Sequence, residues 1–468
     1  MSTSLPMRVR QAWNALTGAS PTAFDAAGRG GSRTIAWNPP AANFGSLRQP
    51  PTVLWRSRDC FRNNSWGRRA IEATVAGAVS TGIKPMLQTQ DLGLKQRAQQ
   101  AFLAWTDQCD FEGRRDFFGF QADVLRTVLV DGEAIVVMTP TGRNAVPLEL
   151  RLLTTEFLDN SRVIPGRVLD GIEYDDLGHR TALYLFPKHP ADFPTFQSVR
   201  VPVEFALHVF APPAAGAPRG VSWLEPALFA MRELQTFMET ELTRARVAAL
   251  SCGFVRTPDG SNPLMDSTGA LTLEPGSVTR LNPGEELQWS SPGQPQNFEP
   301  YVRVQLRAIS SALSMPYEVL AADVSQITFA SGRSALISWK RWLEMLQFNV
   351  LVFLFCAPVW AMWIKYALLA GVLDGQPEDY AARWIAPPLP MLDARAEVLA
   401  DVERVRAGFV SRGEVVAESG ADVEQLDSEI AEQNRRADAW GLIFDSDARK
   451  TTLQGQNSMQ GDSNATQP

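Results

Sequence analysis

Apolar residues recur every three or four positions over most of this chain, a spacing that predicts helices. The first fifty residues are the exception: Gly, Ser, Ala and Pro predominate there without a sustained period. They predict an arm over residues 1–51, with order beginning near Thr52. Phe61, Trp66, Ile71 and Val75 then predict one helix over 56–79, ending before Thr81, Gly82 and Pro85. Further helices are expected over 92–107 and, on Phe117, Phe120, Val124 and Val128, over 117–130. Asp131-Gly132 breaks the last of these. β-rich runs follow at 134–138, 148–153, 171–174, 181–186 and 206–210, with Asp176-Leu177-Gly178 as a hairpin turn. This region predicts a mixed α/β unit.

A longer rod is expected next. In Ser222-Trp223-Leu224-Glu225, Glu225 holds the reciprocal capping-box position, and Pro226 falls in the first turn, where its missing N–H costs little. The stripe Leu224, Leu228, Met231, Leu234, Met238 and Leu242 continues to about residue 250, a rod ~40 Å long at 1.5 Å per residue. Strands and turns come after it, at 253–256, 258–260, 277–281 and 286–289, around Asn282-Pro283-Gly284. A second rod over 298–313 presents Phe298, Val302, Leu306, Ile309 and Leu313 on one face, with Arg303 and Arg307 elsewhere, and Pro316 ends it. Small and polar residues over 322–334, including Gly332, predict a loop that leads into a third long helix over 335–369. Within that helix residues 350–364 carry no charge and are interrupted by Pro358. A membrane span needs about 20 such residues, so a kinked, buried helix is expected. Beyond Pro387, Pro388 and Pro390 the chain reads as helices at 393–406, 412–419 and 423–439, with a disordered tail from 455.

The composition of the 468 residues, 45% hydrophobic and 20% charged, is that of a globular protein with material for a core. The net charge of -7 hides an asymmetry. Residues 1–70 carry ten Arg against Asp25 and Asp59, whereas 391–450 carry fourteen acids against eight bases. Such polarity suits contact with nucleic acid or an acidic partner at one place and repulsion of DNA at another. No secretory signal is visible, and Cys60, Cys109, Cys252 and Cys356 are too dispersed for a disulfide framework or a zinc site, which points to a reducing cytoplasm. No Gly-Lys dipeptide exists for a phosphate-binding loop and no GxSxG elbow is present. His179, His189 and His208 lack metal-ligand spacing, and His208 reads as a strand residue with a satisfied ring. No cofactor, metal or catalysis is expected.

The order of parts is an α/β unit, a rod, a small β excursion, a second rod, a loop and a long helix. Short stretches mark it: Arg62-Asn63-Asn64-Ser65-Trp66, Val79-Ser80-Thr81-Gly82-Ile83, Leu129-Val130-Asp131-Gly132-Glu133 and Gly171-Ile172-Glu173-Tyr174. Later ones are Arg219-Gly220-Val221-Ser222-Trp223-Leu224-Glu225-Pro226, Arg406-Ala407-Gly408-Phe409 and Gly413-Glu414-Val415-Val416. Together, over residues 54–434, they resemble the lambda-like family of phage portal proteins. The resemblance implies an α+β, predominantly helical fold that assembles as a ring, typically of twelve subunits, with wing, stem, clip and crown. It maps the wing to 52–220, stem helices to 221–250 and 296–316, the clip to 251–295, the channel loop to 317–334, the long wing helix to 335–388, the crown to 389–440 and a tail to 441–468.

What the family implies for function is a ring at one capsid vertex of the virion, assembled in the host cytoplasm and not an enzyme. Double-stranded DNA would be packaged through it by the terminase large subunit and later ejected, with the head-tail connector and the major capsid protein as further partners. A sliding polyanion calls for a few repeated phosphate contacts and no base reading. Arg333 is the first candidate for the channel, followed by Lys340, Arg341, Arg303 and Arg307, although 328–333 matches the family's Tyr-Ser-Ser-x-Arg pattern only loosely. Phe254, Arg256, Arg280 and Trp289 are the candidate partner contacts of the clip. Two other readings stay open: a membrane-associated protein anchored by 350–364, and a nucleic-acid-processing enzyme using the basic arm.

Overall fold

Asn64 divides the first helical region into two. Helix α1 (Pro51–Asn63) and helix α2 (Ser65–Ala78) stand where one helix over 56–79 was expected. The Asn64 backbone is extended, and its side-chain oxygen accepts from the N–H groups of Trp66 (3.1 Å) and Gly67 (3.0 Å), so Asn64 caps a new helix instead of continuing the old one. The structure is a computed structural model describing residues 49–89, 91–193, 197–249, 253–256, 286–289, 298–325, 327–388, 394–444, 447 and 449. The arm before 49, the strand expected at 277–281, the turns at 258–260 and 282–284, and the tail expected from 455 lie outside the described residues.

The elements then run β1 (Lys84–Leu87), α3 (Leu92–Thr106), α4 (Phe117–Asp131), β2 (Ala134–Pro140), β3 (Leu148–Leu153), β4 (Val168–Leu169), β5 (Ile172–Tyr174), β6 (Arg180–Leu185), β7 (Val199–Pro202) and β8 (Ala206–Val209). All five expected β runs form strands. With β4 and β7 they build two antiparallel sheets, ordered β3-β2-β8 and β4-β5-β6-β7. The sheets share a small core in which Ile135, Leu153 and Ala206 of the first meet Ile172, Leu183 and Leu185 of the second. Strands β1, β4 and β7 were not anticipated, being only two to four residues long.

Helix α5 (Leu228–Ala249) starts six residues later than its Ser222 signal. The expected capping box does not form, because Ser222 is used elsewhere. Its hydroxyl donates to the Leu129 carbonyl (3.3 Å) and accepts from Leu224 N–H (3.2 Å), and a short 3-10 turn, Glu225–Ala227, intervenes. Strands β9 (Gly253–Arg256) and β10 (Glu286–Trp289) pair antiparallel, and helix α6 (Phe298–Ala312) returns beside α5, with Phe237 against Phe298 (5.8 Å) and Tyr301 (4.6 Å).

After the short helix α7 (Tyr317–Ala321), helix α8 (Phe329–Met345) begins inside the segment expected to be a loop. Thr328 and Ser331 explain it, since each hydroxyl accepts from the other's N–H (3.3 and 3.1 Å), a reciprocal cap that the small-residue composition concealed. The rod then widens into an 11-residue π-helix, Leu346–Cys356, before α9 (Ala357–Leu369). Pro358 supplies the reason: it cannot donate to a preceding carbonyl, and its ring would crowd the turn before it. The chain answers by widening that turn rather than breaking. This 40-residue helix, Ala330–Leu369, is apolar and long enough to cross a membrane by composition, yet half of its most apolar window is buried. Leu351, Phe355, Val359 and Trp363 form the spine of the main core, where Trp363 packs on Phe102 (5.1 Å) and Trp360 (5.1 Å).

Strand β11 (Ala382–Ile385) pairs with β1, and helices α10 (Ala394–Arg406), α11 (Arg412–Glu418) and α12 (Val423–Trp440) follow close to their expected places. The buried Lys95 on α3 ties the start of α12 to the body, its ammonium meeting Asp422 (3.0 Å) and Glu424.

Candidate functional site

One face of α8 gathers three of the five expected DNA-contacting cations. Residues seven apart on a helix lie almost above one another, so Arg333 and Lys340 align with Arg341 beside them, over about 12 Å of rod. All three are exposed. Lys340 has a loose partner in Glu344 (3.9 Å), while no ion pair to Arg333 or Arg341 forms among the described residues. The pairing of Arg333 with a neighbouring acid, its plainest alternative role, is therefore not seen. Behind this face Trp339, Leu343 and Leu346 are buried in the main core, and Trp342 stacks on Trp223 (5.2 Å), which fixes the rotation of the helix.

The other two cations are held apart from these. Arg303 pairs with Glu299 on its own helix, and Arg307 lies over the Tyr317 ring (5.6 Å). The Tyr317 hydroxyl in turn donates to Asp323 (2.9 Å), which also accepts from the Ser325 hydroxyl (2.6 Å) and N–H (3.0 Å). The Ser325 donors, with Tyr317, hold the Asp323 carboxyl down at about 2. Asp323 thus knots the segment between α7 and α8. In β9 and β10, Phe254 stands opposite Gln288, Arg256 opposite Glu286 and Trp289 opposite Gly253. Arg280 lies outside the described residues.

A second constellation went unnoticed in the sequence as a unit. Where α4 ends, Gly132 takes φ +92, and the backbone of residues 219–222 passes so close that a Cβ on Gly220 would sit 2.0 Å from the Gly132 carbonyl oxygen. Beneath this crossing lies the Glu133 carboxylate, its side chain 3% exposed, bridged by Arg219, itself 5% exposed. The Arg219 Nε donates to both carboxylate oxygens (2.8 Å each), its Nη1 to Asn160 (2.6 Å), and Gly220 N–H to Glu133 (3.2 Å). His208 Nε2 completes the set at 2.9 Å.

Burial alone would raise the Glu133 carboxyl, but Arg219 and His208 outweigh it and hold it well below the usual carboxylate range. Burial depresses the His208 imidazole against the opposing pull of Glu133, and Arg219 and Arg180 add to the depression. This fully paired joint, together with Trp223 N–H donating to the Leu129 carbonyl (3.0 Å), fixes where the first rod leaves the α/β unit. Nothing in it resembles a reacting centre, and among the described residues no cluster of His, Cys, Asp and Glu could hold a metal.

The family model described as phage portal protein, lambda family, matches residues 30–347. The chain belongs to that family. Among curated portal proteins it is similar to the probable portal protein of Halomonas phage phiHAP-1, at 24% identity over 376 residues, 75% of this chain and 72% of that one. Portal protein B of Escherichia phage lambda is 20% identical over 498 residues, 90% of this chain and 92% of its own length. Among solved structures, the neck of an empty gene transfer agent particle computed with C6 symmetry aligns at a TM-score of 0.48 and 17% identity, covering 79% of this chain and 94% of that one. The neck of the native particle computed with C12 symmetry aligns at 0.46 and 16%, with the same coverage. In this portal chain, two stretches that carried the resemblance, at 129–133 and 219–226, meet at the Glu133–Arg219 joint. A signal was present in Asp-Gly-Glu and Arg-Gly, each a charge beside a glycine, but no spacing rule joins positions 86 apart.

Proposed function

We propose that this portal protein forms a closed ring, twelve-membered as the resemblance implies, at one capsid vertex, and that double-stranded DNA passes through it. A terminase motor packages the DNA, and a head-tail connector and tail attach to the same ring. The observation that carries this reading is the family match over residues 30–347. The rods support it. The apolar stripe of α5 is buried at Met231 and Leu234, yet Leu242 farther along is 52% exposed, and Val304 of α6 is 60% exposed. Such faces on paired rods suit burial against neighbouring copies in a head-to-tail contact that closes on itself.

In this reading residues 52–220 form the wing, α5 and α6 the stem, 251–295 the clip, the segment before α8 the channel loop and α10 to α12 the crown. The role is structural, not catalytic, and belongs to the virion after assembly in the host cytoplasm. Phe254, Arg256, Arg280 and Trp289 remain the clip's contacts for motor and connector. Arg333, Lys340 and Arg341 touch phosphates, whereas Arg307 holds the stem to the loop through Tyr317 and Arg303 pairs with Glu299 within the stem.

The test compares double-stranded DNA binding by the native chain with that of the R333Q/K340Q/R341Q variant across a salt series. The slope of log affinity against log salt is expected to flatten by about 0.9 for each phosphate that is no longer neutralised. An unchanged slope would overturn the assignment of this face, and the lack of any ring in the native protein would overturn the function.

A further inference from the structure

Arg180 begins β6 in the second sheet, yet its guanidinium reaches both the first sheet and the strap that leads to the first rod. Its Nη1 meets His208 Nδ1 on β8 at 3.1 Å, and its Nη2 donates to the Pro218 carbonyl at 2.8 Å. The same guanidinium lies over the Phe210 ring (5.0 Å), which is itself 4.6 Å from the His208 ring. One cation thus ties two sheets to residues 217–220, which are all buried and end at the crossing of Gly220 over Gly132.

These partners fix the protons of the ring. A guanidinium offers no acceptor, so His208 Nδ1 accepts from Arg180 and carries no hydrogen. The ring hydrogen is then on Nε2, which donates it to Glu133 at 2.9 Å, and the ring is neutral. A second proton has only Nδ1 to bind, where it would point at the guanidinium. Of the other charges that act on His208, Glu133 favours that proton and Arg219 opposes it. Asp131 interacts in turn with Glu133, and Asp170 and Tyr174 with Arg219.

We infer that His208 is a proton-operated catch: a proton on its Nδ1 drives Arg180 away, frees the Pro218 carbonyl and loosens the strap between the α/β unit and the first rod. In the closed joint the imidazole lies below its ordinary value of about 6.5, with burial the chief cause. The catch is therefore whole above about pH 6.5 and is lost as pH falls through the depressed folded value. Glu133 keeps its charge over that range, because Arg219 and His208 hold its carboxyl well below the usual carboxylate range. The step thus belongs to the ring and not to the carboxylate. Since the catch lies within one chain, its failure leaves the portal reading intact.

Amide hydrogen exchange of the full-length chain at pH 7.5 and pH 5 tests it, read over residues 206–224 as protection relative to the unfolded chain at the same pH. The native chain is expected to lose protection there several-fold at pH 5, while the main core around Trp363 stays protected. H208Q cannot take the proton, although its amide still offers one donor and one acceptor, and it is expected to show no such loss. R180M has no cation to eject, so its protection at pH 7.5 should already match that of the native chain at pH 5 and fall no further. R180M decides alone if H208Q does not fold. No loss in the native chain would overturn the catch. So would a loss that persists in H208Q or R180M, which would belong to His179, Asp131 or another group.

Discussion

Replacing Arg219 by methionine tests the joint between the α/β unit and the first rod. The substitution keeps most of the side-chain volume and strips the Glu133 carboxylate of its guanidinium. Glu133 stays buried and retains His208 Nε2 at 2.9 Å and Gly220 N–H at 3.2 Å. Breaking a buried pair from one side costs about 3–5 kcal/mol, and the two surviving bonds place R219M near the lower end, at about 3 kcal/mol. The pH dependence is more specific. In the native protein the Glu133 carboxyl lies below its ordinary value, so its contribution is complete above about pH 4.3 and is lost as pH falls through the depressed folded value. Without Arg219, burial dominates and the carboxyl rises above its ordinary value, so protonation relieves the variant. The stability gap should therefore narrow as pH is lowered from 7 towards 5. Urea unfolding followed by tryptophan fluorescence at matched protein concentration measures both effects. A gap under 1 kcal/mol, or one independent of pH, would refute the reasoning.

Three further outcomes are expected. G220A forces a Cβ against the Gly132 carbonyl oxygen at 2.0 Å and should cost at least about 2 kcal/mol, read as a lowered unfolding midpoint; a neutral result would mean the crossing yields easily. T328A removes the cap of α8 and should cost about 1 kcal/mol, seen as faster amide exchange over residues 329–333 with the rest of the chain unchanged. K95M releases Asp422 and Glu424, so exchange should rise across α11 and α12 by roughly tenfold while the main core stays protected; equal protection would show that other contacts hold these helices.

Much of the fold was legible because periodicity survives wherever one face is buried. Strands β3 and β10 and helix α6 follow their apolar patterns closely. Side-chain hydrogen bonds hid the rest. Asn64 had no signal stronger than its residue type, yet it accepts two N–H groups and splits a helix. Ser222 carried the best helix-start pattern in the chain and spent its hydroxyl on Leu129 instead. Thr328 and Ser331 made a cap from residues that composition read as loop. Pro358 was expected to kink the helix, and the π-helical stretch Leu346–Cys356 stands directly before it, a widening that no apolar period announces. At the candidate site, Lys340 and Arg341 fell on the expected third helix, whereas Arg333 fell in the expected loop and joins their helix only because Thr328 and Ser331 start α8 early. The pairing of Glu133 with Arg219 was not legible, since their meeting depends on two glycines letting distant backbones touch.

Single-particle imaging of the purified full-length chain tests the central claim most directly. Closed rings with an axial opening wide enough for duplex DNA are expected, with α8 turned so that Arg333 faces the opening. A homogeneous, pore-less monomer in aqueous buffer, or a ring whose α8 cations face outward, would contradict it.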